Sequence, residues 1–312
     1  MVKIENLNLK ELSFNLDKEF HKNSKIDPRM NLDSILNNRQ DKLSKTLHEK
    51  LEDFLVMYDN GLKLTIKIHE MFKEHYTEKK IGFAYLVLTG KMVTLLIGIR
   101  KMMFSGLNDC TKSLNRPLIE TLDIFYACLI NKELSDRFSK SDELYDNSKF
   151  YWENFSKDKL TKECTKLYET IEIDKEGIVY LNTRRKNLKA FFSESIHSSY
   201  NSAFANYMML TLDFDIDDNY LGKITTANPK MLLGLIEEIF ILNNIFKTVL
   251  EKKITEDLKD IEKQNAYALY LFFSDKFDGL YRANSVKLQE NSNLYIGFIN
   301  EMIEAFRNYD DA

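Results

Sequence analysis

Apolar residues recur at three- and four-residue steps through most of this chain, the spacing of helices that each bury one stripe. Leu43, Leu47, Leu51, Phe54 and Leu55 share such a stripe, and Ile66, Ile68 and Phe72 continue its character beyond Gly61, where a helix break is expected. Ile81 to Phe104 is apolar on most faces and ends near Gly106, a C-cap position. The next helix starts at Asn108 or at Asn115. Pro117 lies in its first turn if the start is late, and kinks a longer helix if it is early. Residues 138–160 read as a connection with a short helix, and Asn182 to Leu212 as a long one. Asn228 and Pro229 form an N-cap and N1 pair ahead of MLLGLIEEIFILNNIFKTVL. Thr255, followed by Glu256 and Asp257, is expected to open a helix through AYALYLFF, with a last helix from Ser292 to Asn308.

The strand signal is confined to IEIDKEGIVYL, where two short β-branched runs flank Gly177. The expectation is therefore an all-α, multi-helix bundle of about nine or ten helices, with at most one small β-hairpin near residues 171–181. Its organisation is read as an N-terminal arm (1–27), a helical core domain (28–212) and a C-terminal helical subdomain (228–312) packed on that core. The polar stretch DFDIDDNYLGKITTANPK separates the last two.

Composition agrees with this reading. The chain has 10 Gly and 3 Pro in 312 residues, too few for the frequent turns of a sheet-rich fold. Its net charge of −4 gives no general electrostatic footprint for wrapping nucleic acid. Cys110, Cys128 and Cys164 form no CxxC pair, which suits a reducing cytoplasm. Ile81 to Ile99 is long enough to span a bilayer, yet Lys91 sits at its centre, where a charge costs about 2.5–3.5 kcal/mol. A buried helix and no membrane association are expected.

Charges on otherwise apolar helices are the candidate chemistry. Arg116 and Glu120 are four residues apart and can pair on one face, among Leu118, Leu122, Ile124, Phe125 and Leu129. A helix apolar nearly all round is buried, and buried charges need partners. His197 lies farther along, with Ser193, Tyr200 and Asn201 at three- or four-residue spacing. Arg116, Glu120 and His197 are therefore a candidate polar constellation, either a structural network or a catalytic site. Arg184, Arg185, Ser193, Tyr200 and Asn201 are candidate binding residues around it. The sequence holds no phosphate-loop, dinucleotide, zincin or nucleophile-elbow motif, so no cofactor and no metal are expected. Asp213, Asp215 and Asp217 imitate the start of a calcium loop, but Asp218 and Ile224 stand where such a loop needs Gly and Glu.

The block GKMVTLLIGIRKMMFSGLNDCTKSLNRPLIETLDIFYACLINKELSDRF, with Ser193 and His197 farther on, resembles an uncharacterised bacterial all-helical family. Its members carry an Arg-Ser-Leu-x-Glu helix and a later Ser-x-x-x-His helix. Here Pro117 replaces the usual Ser of the first motif. That family is distantly similar to HEPN-type proteins, many of them ribonucleases of toxin and phage-defence systems. The HEPN signature places an Arg a few residues before its His, whereas positions 190 to 192 here are Ala, Phe and Phe. The resemblance implies a helical interaction or sensor module of a bacterial stress or phage-defence system, with a protein partner or self-association. The alternative it implies is a metal-independent ribonuclease that acts on RNA through His197 and an Arg.

Overall fold

The structure, a computed structural model, describes residues 32–140, 147–156, 158–193 and 222–310. Nine α-helices form these parts: α1 (Leu32–Lys79), α2 (Phe83–Phe104), α3 (Asn108–Ile130), α4 (Lys132–Lys140), α5 (Asn147–Phe155), α6 (Lys159–Thr170), α7 (Lys175–Ser193), α8 (Ala227–Glu251) and α9 (Asn265–Asp310). Two short 3-10 turns, Glu256–Leu258 and Ile261–Lys263, join α8 to α9. The fold is all-α, and the described residues contain no strand.

The expected stripe on α1 is its buried face: Leu43, Leu47, Leu51, Phe54 and Leu55 are all at most 2% exposed. The helix runs on past Gly61, and its irregular residue is Leu51 (φ −127°, ψ 25°). Gly61 serves proximity rather than termination. A Cβ there would lie 2.9 Å from Ile239 Cδ1 and 3.3 Å from Phe277, so α8 and α9 both cross α1 at this point.

Five helices meet in an aromatic centre. Phe72 of α1, Tyr85 of α2, Phe125 of α3 and Phe246 of α8 pack with ring centroids 5.4 to 6.1 Å apart, and Tyr270 of α9 joins Phe246 at 5.5 Å. These are edge and tilted arrangements favoured by the ring quadrupole. The helices that follow residue 222 thus share one core with those before it.

The chain departs from its sequence pattern at three places and, at the start of α3, selects one of the two starts the sequence left open. Ile171 to Leu181 is no hairpin: a turn with Glu172 at φ 65° ends α6, and α7 begins at Lys175. Asp174 explains this, because its carboxylate accepts the Gly177 backbone N–H at 2.6 Å, an N-cap bond that competes with extended pairing. α3 starts at the earlier candidate, Asn108, and carries Pro117 inside it. α8 begins at Ala227, so Asn228 lies inside the first turn. Its side chain accepts the Thr225 N–H at 2.6 Å and donates to Asn108 at 3.0 Å, which ties the starts of α3 and α8 together. Thr255 opens only a 3-10 turn; α9 begins after Gln264 and continues through the expected last helix to Asp310. The calcium-like loop and the second half of the expected 182–212 helix lie outside the described residues, as does the expected N-terminal arm.

α2 is long and apolar enough to cross a membrane. Its positions Tyr85, Leu88, Met92, Leu96 and Ile99 are buried in the bundle, and its C-terminal half is tied down by polar bonds. Tyr58 donates to the Leu96 carbonyl at 2.7 Å, and Arg100 holds Asp59 through two contacts at 2.7 and 2.9 Å.

The turn after α2 brings two backbones into close contact. Gly106 has φ +68°, its carbonyl accepts the Lys223 N–H at 3.0 Å, and a Cβ there would collide with the Lys223 backbone nitrogen. Gly106→Ala is expected to destabilise the fold by about 1–3 kcal/mol, through strain at positive φ and the forced separation of two backbones. Urea denaturation followed by circular dichroism measures it.

Candidate functional site

α3 presents Arg116, Glu120 and Asp123 on one face, at steps of four and three residues, and α7 presents Asn182, Arg185, Lys186 and Lys189 toward them. Between these helices, α5 and α6 complete a cleft of about 730 Å³. Tyr151, Trp152 and Phe155 of α5 form one wall, while Cys164 and Tyr168 of α6 form another. That volume lies within the range of small-molecule sites.

Below the cleft runs an internal ion network. Asp123, 4% exposed at its side chain, meets Arg185 at 3.0 Å and Lys189 at 2.5 Å. Glu238 of α8, 2% exposed, meets Arg185 at 2.6 Å and Arg184 at 3.1 Å. Arg184 also pairs with Glu237 at 2.6 Å and donates to the Gly234 carbonyl at 3.1 Å. The two Arg185–carboxylate contacts are close but poorly aligned as hydrogen bonds, so charge rather than direction holds them. Burial alone would lower the Arg185 pKa; Asp123 and Glu238 outweigh it and keep the group well above its ordinary value. Arg185 is therefore a fixed cation that joins α3, α7 and α8.

The mouth of the cleft is less completely neutralised. Arg116 pairs with Glu120 at 2.9 Å through Nη2, but its Nη1 is buried without a hydrogen-bond partner. Lys186 is exposed and has no ion-pair partner among the described residues. Trp152, the only Trp of the chain, is 67% exposed beside them. Burial raises the Tyr151 pKa, with Glu120 adding to the shift and Arg116 opposing it, which places that phenol in the field of the same pair. Such a lining can hold an anion on cations and an apolar ring on the α5 aromatics.

The residues singled out from the sequence divide accordingly. Arg116, Glu120, Arg185 and Ser193 line one cleft. Ser193 spends its hydroxyl on the Lys189 carbonyl of its own helix, at 2.6 Å. Arg184 turns away from the cleft toward α8 and edges a separate, mostly apolar groove with Val179, Tyr180, Leu188 and Phe191. His197, Tyr200 and Asn201 lie outside the described residues. Asp123, Lys189 and Glu238 are the members that sequence reasoning missed. A carboxylate in TLDIFYACL and two in LLGLIEEIFIL, facing the basic run RRKNLK, were the available signal.

Thiol chemistry has no support in the interior. Burial pushes the Cys128 thiol up to about 12 and holds Cys164 well above its usual range, so both stay protonated. Among the described residues no group of three metal-binding side chains occurs. Comparison with protein-family models, with curated proteins and with solved structures returns no match.

Removing Arg185 leaves two carboxylates in the core without their shared cation. Arg185→Met is expected to cost about 3–5 kcal/mol in urea denaturation, and Arg185→Lys to recover only part of it, because an ammonium cannot span both acids. Glu237 has the opposite sign. Burial raises its pKa and the Arg184 pair offsets that only in part. The folded chain thus holds this proton more tightly than the unfolded chain does. Its contribution is complete below the ordinary carboxylate range and is lost as pH rises through the elevated value. Glu237→Gln should flatten that fall in stability across mildly acidic pH, measured as the change in melting temperature with pH.

Proposed function

We propose that this chain is a helical interaction or sensor module, and that the cleft between α3, α5, α6 and α7 receives a small phosphate-bearing ligand. The observation that supports this reading is the unequal neutralisation of the cleft. Its floor cations, Arg185 and Lys189, are taken up by Asp123 and Glu238, whereas Arg116 Nη1 and Lys186 at the mouth keep unused capacity. A buried guanidinium nitrogen without a partner is costly, and an anionic oxygen is what it lacks. Trp152 and Tyr151 add flat apolar surface where a ring attached to that anion would lie. The system in which such a module works, bacterial stress response or phage defence in the cytoplasm, is part of the proposal and rests on the sequence resemblance alone.

The ribonuclease alternative is narrowed by the same geometry. Arg184 and Arg185 are committed to carboxylates, so of these three arginines Arg116 keeps capacity for a scissile phosphate.

Trp152 emission reads the site directly, since no other Trp contributes. Titration with nucleoside monophosphates is expected to quench or shift it, with inorganic phosphate as competitor. Lys186→Ala and Arg116→Ala are each expected to weaken binding about tenfold or more, the worth of one charge-assisted hydrogen bond. No response from Trp152 and no competition by phosphate sink the ligand reading. Metal-free cleavage of mixed RNA that is lost in His197→Ala moves the assignment to the ribonuclease.

A further inference from the structure

We infer that α9 pairs antiparallel with α9 of a second copy of this chain, through the face it turns away from the bundle. Tyr270, Ser274, Phe277 and Leu288 bury one side of α9. On the opposite side Leu269, Phe272, Lys276, Gly279, Ala283, Val286 and Glu290 follow at alternating steps of three and four, the seam of a coiled coil. Leu269, Phe272 and Val286 are 50%, 56% and 69% exposed, a high level for large apolar side chains on one line.

Gly279 makes this face more than a loose apolar strip. A glycine inside a helix costs about 0.5–1 kcal/mol relative to Ala. Here a Cβ would meet nothing within 4 Å, so no contact inside the chain requires its absence. Close approach of a backbone from outside would.

Charge selects both partner and direction. Lys276 and Glu290 are exposed and form no ion pair among the described residues. They lie two heptads apart on the seam. Parallel pairing of two copies would stack Lys on Lys and Glu on Glu. Antiparallel pairing about a two-fold axis midway between Gly279 and Ala283 sets Gly279 against the partner's Ala283, and Lys276 against the partner's Val286. Lys276 is then one helical turn from the partner's Glu290, within reach of its long stem, and the pair forms twice by symmetry. The small residues at the axis bring the helices close enough for both.

Sedimentation equilibrium on the full chain tests this, with far-UV circular dichroism confirming that each variant folds. The wild type is expected to be a dimer. Lys276→Glu and Glu290→Lys should each raise the dissociation constant at least about tenfold, because like charges then lie within one helical turn of each other at two symmetric places. The double variant, Lys276→Glu with Glu290→Lys, should restore dimerisation. A monomeric wild type overturns the inference. A dimer indifferent to both single changes shows pairing through another face and overturns it equally. Weakened single variants without rescue in the double variant overturn the antiparallel register.

Discussion

Arg185 holds three helices together by charge. Its guanidinium lies between Asp123 of α3 and Glu238 of α8, both almost fully withdrawn from water. Either carboxylate left there without a cation would be an isolated buried charge, which costs several kcal/mol. The cation is equally dependent on them. Such an arrangement adds little net stability over an apolar core, but it tolerates few alternatives: sliding α7 by one residue along α3 would strand all three groups. The network therefore sets the register of α7, and with it the floor of the cleft.

The cleft follows from that register. Once Arg185 points inward, Lys186 and Lys189 fall on the flank of α7 that faces α3, since neighbouring positions on a helix diverge by about 100°. Lys189 still reaches Asp123, while Lys186 projects to the mouth. Arg116 and Glu120 come to the opposite rim because they sit two turns and one turn, respectively, before Asp123 on α3. One internal ion cluster thus positions much of the polar rim of an open site on helix faces, with Ser156 and Asp158 of the α5–α6 connection beside it. A site on helix faces is held by packing and is less free to rearrange than a loop-borne one.

Much of the helical architecture was legible because stripes such as Leu43–Leu47–Leu51 have a single periodicity and no competing interpretation. Where the pattern misled, a local polar bond or a distant packing partner decided. IEIDKEGIVYL has strand-like side chains, but one Asp174 cap outweighs them. Gly61 resembles a helix breaker until the crossing of Ile239 and Phe277 is known, and that crossing joins residues far apart in sequence. The candidate site was half legible for the same reason. Arg116 and Glu120 are visible as an i, i+4 pair, and Arg185 as one of a basic run. That Arg184 and Arg185 diverge, one toward Glu237 and one toward Asp123, depends on how α7 is rotated against α8. Periodicity on α7 alone, where apolar positions are sparse, does not specify that rotation.

The glycines separate what the bundle needs for itself from what it does not. Gly61 and Gly106 each sit where a Cβ would strike another element, so folding of a single chain accounts for both. The charges divide in the same way. Asp123, Glu238, Arg184 and Arg185 are neutralised within the chain, and the fold explains their presence. Gly279, Lys276 and Glu290 receive no such account from the interior, and neither do Lys186 and Trp152. These residues fall into two groups on different helices, α9 on one side and the α5–α7 rim on the other. The two proposed contacts, a second copy along α9 and a phosphate-bearing ligand in the cleft, would each take up one of these groups, with the shared core as a material connection between them.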